Sequence, residues 1–262
     1  MCFTYDAEPP ELPVAAAGAG SGVRGEEMVL TSVDGTPFAA FAGHVDALTP
    51  PKSAVVILPD VRGLFSFYRE LALRFAQAGI EAVAIDYFGR TAGLTPRDET
   101  FDYMPHVMQT TPQTVSNDVA SAVAYLRNQI SSNPKAIFTV GFCFGGRNSF
   151  LQAANHLGLA GVVGFYGSLG PGRFPGPTPA DLASQFECPV LGLFGGADQG
   201  IPQEQIDTFN QALTAAHVAH EIVVFPGAPH SFFDRKQDEF AKESTQSWQL
   251  MLDFIAKYTP KA

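Results

Sequence analysis

The sequence has little cysteine, no run of basic residues and no long apolar stretch. Three cysteines occur in 262 residues, Cys2, Cys143 and Cys188. So sparse and odd a set argues against a disulfide framework and fits a reducing compartment. Lysine and arginine total 16 against 26 acidic residues, giving a formal net charge of −10. Duplex nucleic acid and anionic membrane surfaces are held chiefly by clustered cations, so both are poor partners for this chain. Nothing approaches the ~18 consecutive apolar residues of a membrane span. The opening "MCFTYDAEPPELP" lacks a basic leader, and "VAAAGAG" is too short for a signal core. A cytoplasmic protein is therefore expected. No G-x-x-x-x-G-K-[ST] loop and no post-strand G-x-G-x-x-G is present, which leaves nucleotide binding unsupported. His217 and His220 have a possible metal spacing, but without an accompanying acidic or cysteine cluster they read as surface residues. No metal and no cofactor is expected.

What is present is apolar content, 46% of the residues, enough for a sizeable core. Residues 1–25, rich in Pro, Ala, Gly and acid, read as an irregular leader. "EEMVLTSVDGTPFAAFAGHV" reads as two strands joined at Asp34-Gly35. "SAVVILP" (53–59) suits a strand buried on both faces. Helical and strand patterns then alternate: a helix over 67–79, a strand over 80–86, a helix over 112–130 and a strand over 135–142. After the helix that follows come strands in "GVVGFYG", "PVLGLFGG" and "HEIVVFP", with helices near 203–216 and 238–258. The pattern predicts one α/β domain over residues 26–262, with a mostly parallel sheet, helices on both faces, an N-terminal antiparallel hairpin and no large cap domain. A monomer is expected.

Within this frame "GFCFGG" (141–146) has the form of a nucleophile elbow, G-x-S-x-G, with Cys143 in place of serine. Gly141 and Gly145 flank it where larger side chains would meet the neighbouring backbone. The following helix N-terminus favours a thiolate. The plain alternative is a small buried thiol. Downstream, "FGGADQGIP" places Asp198 just past a strand, and "GAPHSFFD" places His230 just past the next. Ligands of parallel sheets bind at that end of the strands. Cys143, Asp198 and His230 thus follow the nucleophile–acid–histidine order of α/β-hydrolases. The oxyanion donors expected from that arrangement are the backbone N–H groups of Phe144 and Val61.

These motifs, with "LPDVRG" and "DYFGR" upstream, resemble the dienelactone hydrolase family from about residue 26 onward. The resemblance implies Cys143 as nucleophile, His230 as base and Asp198 as the residue that orients the histidine. It implies hydrolysis of a lactone or activated carboxylic ester through a thioester acyl-enzyme, with a small-molecule ester or lactone as the only partner.

Two positions depart from the family pattern. Family members often carry a glutamate that touches the cysteine where this chain has Asp60, which either activates Cys143 or bonds nearby backbone N–H groups as a turn aspartate. The best-studied members clamp a substrate carboxylate with two arginines. Arg90 matches the first, but Asp234 stands at the second, with Arg235 beside it, and Arg62 is a third candidate for substrate binding. The competing expectations are a general carboxylesterase or thioesterase with no need of a carboxylate, and a non-catalytic or redox thiol protein on the same scaffold.

Overall fold

A computed structural model describes residues 3–13, 22–46, 50–128, 134–171, 176–236 and 238–261. Cys2 and residues 14–21 of the leader lie outside them. The chain opens into a hairpin of β1 (Gly22–Thr31) and β2 (Pro37–Asp46). At its turn the Thr36 N–H donates to Asp34 Oδ1 at 3.0 Å, and Gly35 takes φ +86°, a conformation that favours glycine. β1 begins at Gly22, inside the stretch read as leader, because cross-strand pairing continues to Gly22 opposite Asp46.

The repeating part follows as β3 (Ser53–Leu58), α1 (Ser66–Gln77), β4 (Glu81–Ile85), two one-turn helices α2 (Gly89–Ala92) and α3 (Met104–Val107), α4 (Pro112–Asn128), β5 (Ala136–Phe142), α5 (Phe144–Gln152), β6 (Gly161–Phe165), β7 (Val190–Gly195), α6 (Gln203–Ala215), β8 (His220–Phe225) and α7 (Ala241–Tyr258). The two one-turn helices lie in the polar stretch 89–111 and are too short to leave a period in the sequence.

The strands form one sheet in the order β1-β2-β4-β3-β5-β6-β7-β8. Pairing is antiparallel from β1 to β4 and parallel from β4 to β8. Successive strand residues face opposite sides, so β3 feeds two cores. Val55 and Ile57 pack with Phe67, Leu71 and Phe75 of α1 and with Trp248 and Met251 of α7. Ala54, Val56 and Leu58 pack with Val115, Val119 and Ala122 of α4. Each fully buried Val, Leu or Phe contributes about 1.5–3 kcal/mol, so the sheet is held from both faces. Its parallel strands end together, and their following loops carry Asp60, Cys143, Asp198 and His230.

Candidate active site

Cys143 occupies the single residue between β5 and α5 with φ +55° and ψ −112°. A non-glycine residue rarely adopts this conformation, and the surrounding packing maintains it. A Cβ on Gly141 would collide with the Gly145 carbonyl, and one on Gly145 with the carbonyls of Leu58 and Pro59. Glycine is therefore required on both sides for α5 to descend so close to β3 and β5. The Cys143 N–H donates to the Phe165 carbonyl at 3.0 Å, and the Arg147 N–H donates to the Cys143 carbonyl at 3.1 Å. These bonds fix the turn at both ends, and the Cys143 side chain is half-buried.

The loops after β7 and β8 bring Asp198 and His230 together. His230 Nδ1 lies 2.6 Å from Asp198 Oδ2, while Asp198 Oδ1 accepts the Gly200 N–H at 2.9 Å. With both oxygens engaged, the carboxylate cannot rotate. A proton on Nδ1 satisfies the bond to Asp198 and leaves the Nε2 lone pair available as a base. Burial pushes the Asp198 carboxyl upward, but the His230 hydrogen bond and charge and the Gly200 N–H outweigh it and hold the group below its ordinary value. The Tyr166 ring lies 4.8 Å from the His230 ring. Cys143, Tyr166 and Ser231 all have positive φ, so backbone strain gathers on the loops that carry these side chains.

The loop after β3 is braced from several directions. The Asp60 N–H donates to Tyr68 Oη at 2.9 Å, and Tyr87 Oη donates to the Pro59 carbonyl. Asp60 Oδ1 accepts the Arg62 N–H at 2.8 Å, and both carboxylate oxygens meet the Arg62 guanidinium. The Arg62 guanidinium also donates to the Phe3 carbonyl and lies over the rings of Phe65 and Tyr5, at 4.2 and 5.1 Å. Asp60 thus makes the backbone bond expected of a turn aspartate, and Val61 sits between two residues that hold each other. Val61 and Phe144, whose N–H groups are the expected oxyanion donors, are both buried.

Arg90 and Arg235, the other two candidates for substrate binding, have acidic partners. Arg90 donates to both Asp118 oxygens at 2.8 Å each, to Asp34 at 2.8 Å and to Ser32 at 2.6 Å. Arg235 pairs with Glu8 and Glu11 of the N-terminal segment. Asp234 is buried, which raises its carboxyl, and it accepts the Lys236 N–H at 2.9 Å. Arg147 is buried and donates to the carbonyls of Ser168, Gly170 and Pro177, which ties the long loop after β6 to the elbow helix. Cys188 is buried, and that burial pushes its thiol up to about 12. The His220 ring bonds the Val218 carbonyl and Asn210. Among the described residues no helix is long and apolar enough to cross a membrane.

Tyr68 is not among the residues singled out from the sequence, and Phe3 and Tyr5 fall in the stretch expected to be an irregular leader. Tyr68 could have been suspected from its place one residue after Phe67 in an otherwise regular amphipathic helix. The aromatic pair Phe3 and Tyr5, two residues apart in an acidic, proline-rich stretch, was a faint signal.

This geometry has close relatives. The family model of the dienelactone hydrolase family matches residues 38–259. A "putative carboxymethylenebutenolidase" of Yersinia pestis is 30% identical over 237 residues, covering 89% of this chain and 88% of that one. A protein of the same name from Salmonella typhimurium is 33% identical over 214 residues, covering 79% and 78%. Among solved structures, a "putative dienelactone hydrolase" from Klebsiella pneumoniae is 28% identical and superposes with a TM-score of 0.79 over 90% of this chain and all of that one. The chain belongs to the dienelactone hydrolase family, on the α/β-hydrolase fold.

Proposed function

We propose that this hydrolase of carboxylic esters or lactones works by covalent catalysis through Cys143. Family membership supports the reaction class, and the relatives named carboxymethylenebutenolidase support a lactone among its substrates. The observation that carries the mechanism is the fixed His230–Asp198 pair, in chain order after a cysteine at a strained elbow.

In this reading His230 Nε2 takes the Cys143 proton as the sulfur attacks the acyl carbon. Asp198 stabilises the resulting imidazolium without itself taking the proton. The backbone N–H groups of Phe144 and Val61 hold the oxyanion. Collapse breaks the C–O bond, the departing oxygen receives the proton from His230, and a thioester remains. Water then attacks the thioester with His230 again as base, and the carboxylic acid leaves as Cys143 is restored. A thiolate is also a good leaving group, so the scheme favours substrates whose departing oxygen is stabilised, such as enol lactones and aryl esters. Activation of the thiol by Asp60 would compete with the pairing of Asp60 to Arg62.

A second reading, an esterase that needs no carboxylate on its substrate, is favoured by the arginines. A substrate carboxylate would have to compete with Asp118 and Asp34 for Arg90, with Asp60 for Arg62, or with Glu8 and Glu11 for Arg235. Steady-state hydrolysis of a dienelactone beside a neutral aryl ester, for the wild type and Cys143→Ala, separates the two. Dienelactone turnover lost in the variant supports the lactonase. Cysteine-dependent turnover of the neutral ester alone supports the esterase. Turnover of either that survives in Cys143→Ala rejects the covalent scheme.

A further inference from the structure

The N-terminal residues 3–13 touch the two loops that carry opposite parts of the catalytic arrangement. On one side the Phe3 carbonyl accepts from Arg62, the Tyr5 carbonyl accepts from Ser66 Oγ at 3.3 Å, and the Tyr5 ring packs edge-on to Phe65 at 5.2 Å. All of these partners lie in or beside the loop after β3. On the other side the Arg235 N–H donates to the Glu8 carbonyl at 2.9 Å, the Arg235 guanidinium pairs with Glu8 and Glu11, and Lys236 pairs with Asp6. Those residues belong to the loop that follows His230. Strands β3 and β8 are separated in the sheet by β5, β6 and β7, so the segment crosses the face where those strands end. Farther along, Trp248 Nε1 donates to the Pro10 carbonyl at 3.1 Å and anchors the crossing on α7.

Phe3 is the aromatic side chain that this crossing buries most fully. It is 5% exposed, stacks on Phe67 at 4.2 Å, and meets the Tyr166 ring at 6.3 Å. Tyr166 in turn packs against the His230 ring at 4.8 Å and against Phe142, the residue before Cys143, at 6.2 Å. Phe3 is therefore one ring removed from the histidine and from the residue that precedes the nucleophile.

We propose that residues 3–13 form a strap across the catalytic crevice and that Phe3 is a specificity-determining residue, setting how bulky a group can reach Cys143. The inference rests on the reading of Cys143 as nucleophile. A ring stacked on Phe67 and met edge-on by Tyr166 cannot yield to a large acyl group without losing that stacking. Small esters and lactones pass, and bulky acyl groups are refused.

The test compares wild type, Phe3→Ala and Phe3→Leu on p-nitrophenyl acetate and p-nitrophenyl benzoate. It also follows alkylation of Cys143 by iodoacetamide and by pyrenyl maleimide, with peptide mapping to separate Cys143 from Cys2 and Cys188. Phe3→Ala is expected to raise the bulky-to-small ratio by about tenfold in both assays, the scale of a steric change in an apolar pocket. Phe3→Leu, which keeps apolar volume in the core, shifts both ratios in the same direction by less. Unchanged ratios in variants with native circular dichroism overturn the proposal. A shifted alkylation ratio without hydrolysis of either ester would keep the strap and reject the nucleophile reading instead.

Discussion

Arg90 meets Asp118 through two parallel hydrogen bonds of 2.8 Å each, and Asp118 is completely buried. The pair joins α2 to α4, and the same guanidinium reaches Asp34 and Ser32 on the β1–β2 side of the sheet. Removing the arginine leaves a buried carboxylate without its cation, which typically costs about 3–5 kcal/mol. Arg90→Ala is expected to lose unfolding free energy of that order and so to unfold at a lower urea concentration. If Arg90 instead serves a substrate carboxylate, the variant loses affinity for anionic esters with little loss of stability. Urea titration beside KM for one anionic and one neutral ester decides between them.

Asp198→Asn tests the histidine's partner. The amide keeps the size but can present its N–H₂ to Nδ1, which favours the wrong imidazole tautomer. A loss in kcat of about 10⁴-fold is expected, as for the same exchange in serine hydrolases, together with a lower unfolding midpoint at neutral pH, where the carboxylate's contribution to stability is present. A variant with more than a tenth of wild-type kcat would remove Asp198 from the mechanism.

The same carboxylate gives a signed dependence on pH. Its folded value lies below the ordinary 3.8, so the folded state binds that proton less readily than the unfolded chain. The stability it supplies is present in full above the unfolded value and is lost as pH falls through the folded one. Wild type minus Asp198→Asn, measured as unfolding free energy against pH, should therefore shrink on acidification below about pH 4. A difference that grows in that window contradicts the low folded value.

The sheet and the placing of Cys143, Asp198 and His230 at its strand ends were legible because they rest on local signals. Each strand is a short apolar run bounded by turn residues, and Cys143, Asp198 and His230 each stand one to five residues past such a run. A position at the end of a parallel strand already fixes which side of the sheet a residue serves. Arg62 and Phe3 were harder for the opposite reason. Their bond links residues separated by 59 positions, and the segment containing Phe3 has no period that would mark a buried face. The pairing of Arg90 with Asp118 was hidden similarly, since an arginine after "DY" looks the same whether it meets a ligand or a helix.

The elbow glycines predict a loss that no electrostatic change can repair. A methyl group at Gly145 would meet the backbone carbonyls of Leu58 and Pro59, and backbone cannot move aside as a flexible side chain can. Gly145→Ala should displace α5 from β3, lowering stability by about 1–3 kcal/mol and kcat by a larger factor, because misplacement by an ångström can cost about 100-fold. Circular dichroism melting and ester turnover measure the two effects. Normal activity in Gly145→Ala would mean that the tight approach is not needed for the chemistry.

The two described cysteines predict a selective labelling experiment that bears on the redox alternative. Cys188 is buried with its thiol pushed up to about 12, whereas Cys143 is half-buried at a helix N-terminus. Thiolate, not thiol, reacts with iodoacetamide. At pH 8 a group with a value near 12 is ionised only about once in ten thousand molecules. Alkylation in the folded protein is expected at Cys143 and not at Cys188, with activity falling in step with Cys143 modification. Cys188→Ala should leave both the labelling and the turnover unchanged. A disulfide between Cys143 and Cys188 under mild oxidation, read from non-reduced peptides, would instead require the two thiols to meet and would favour the redox reading over the hydrolytic one.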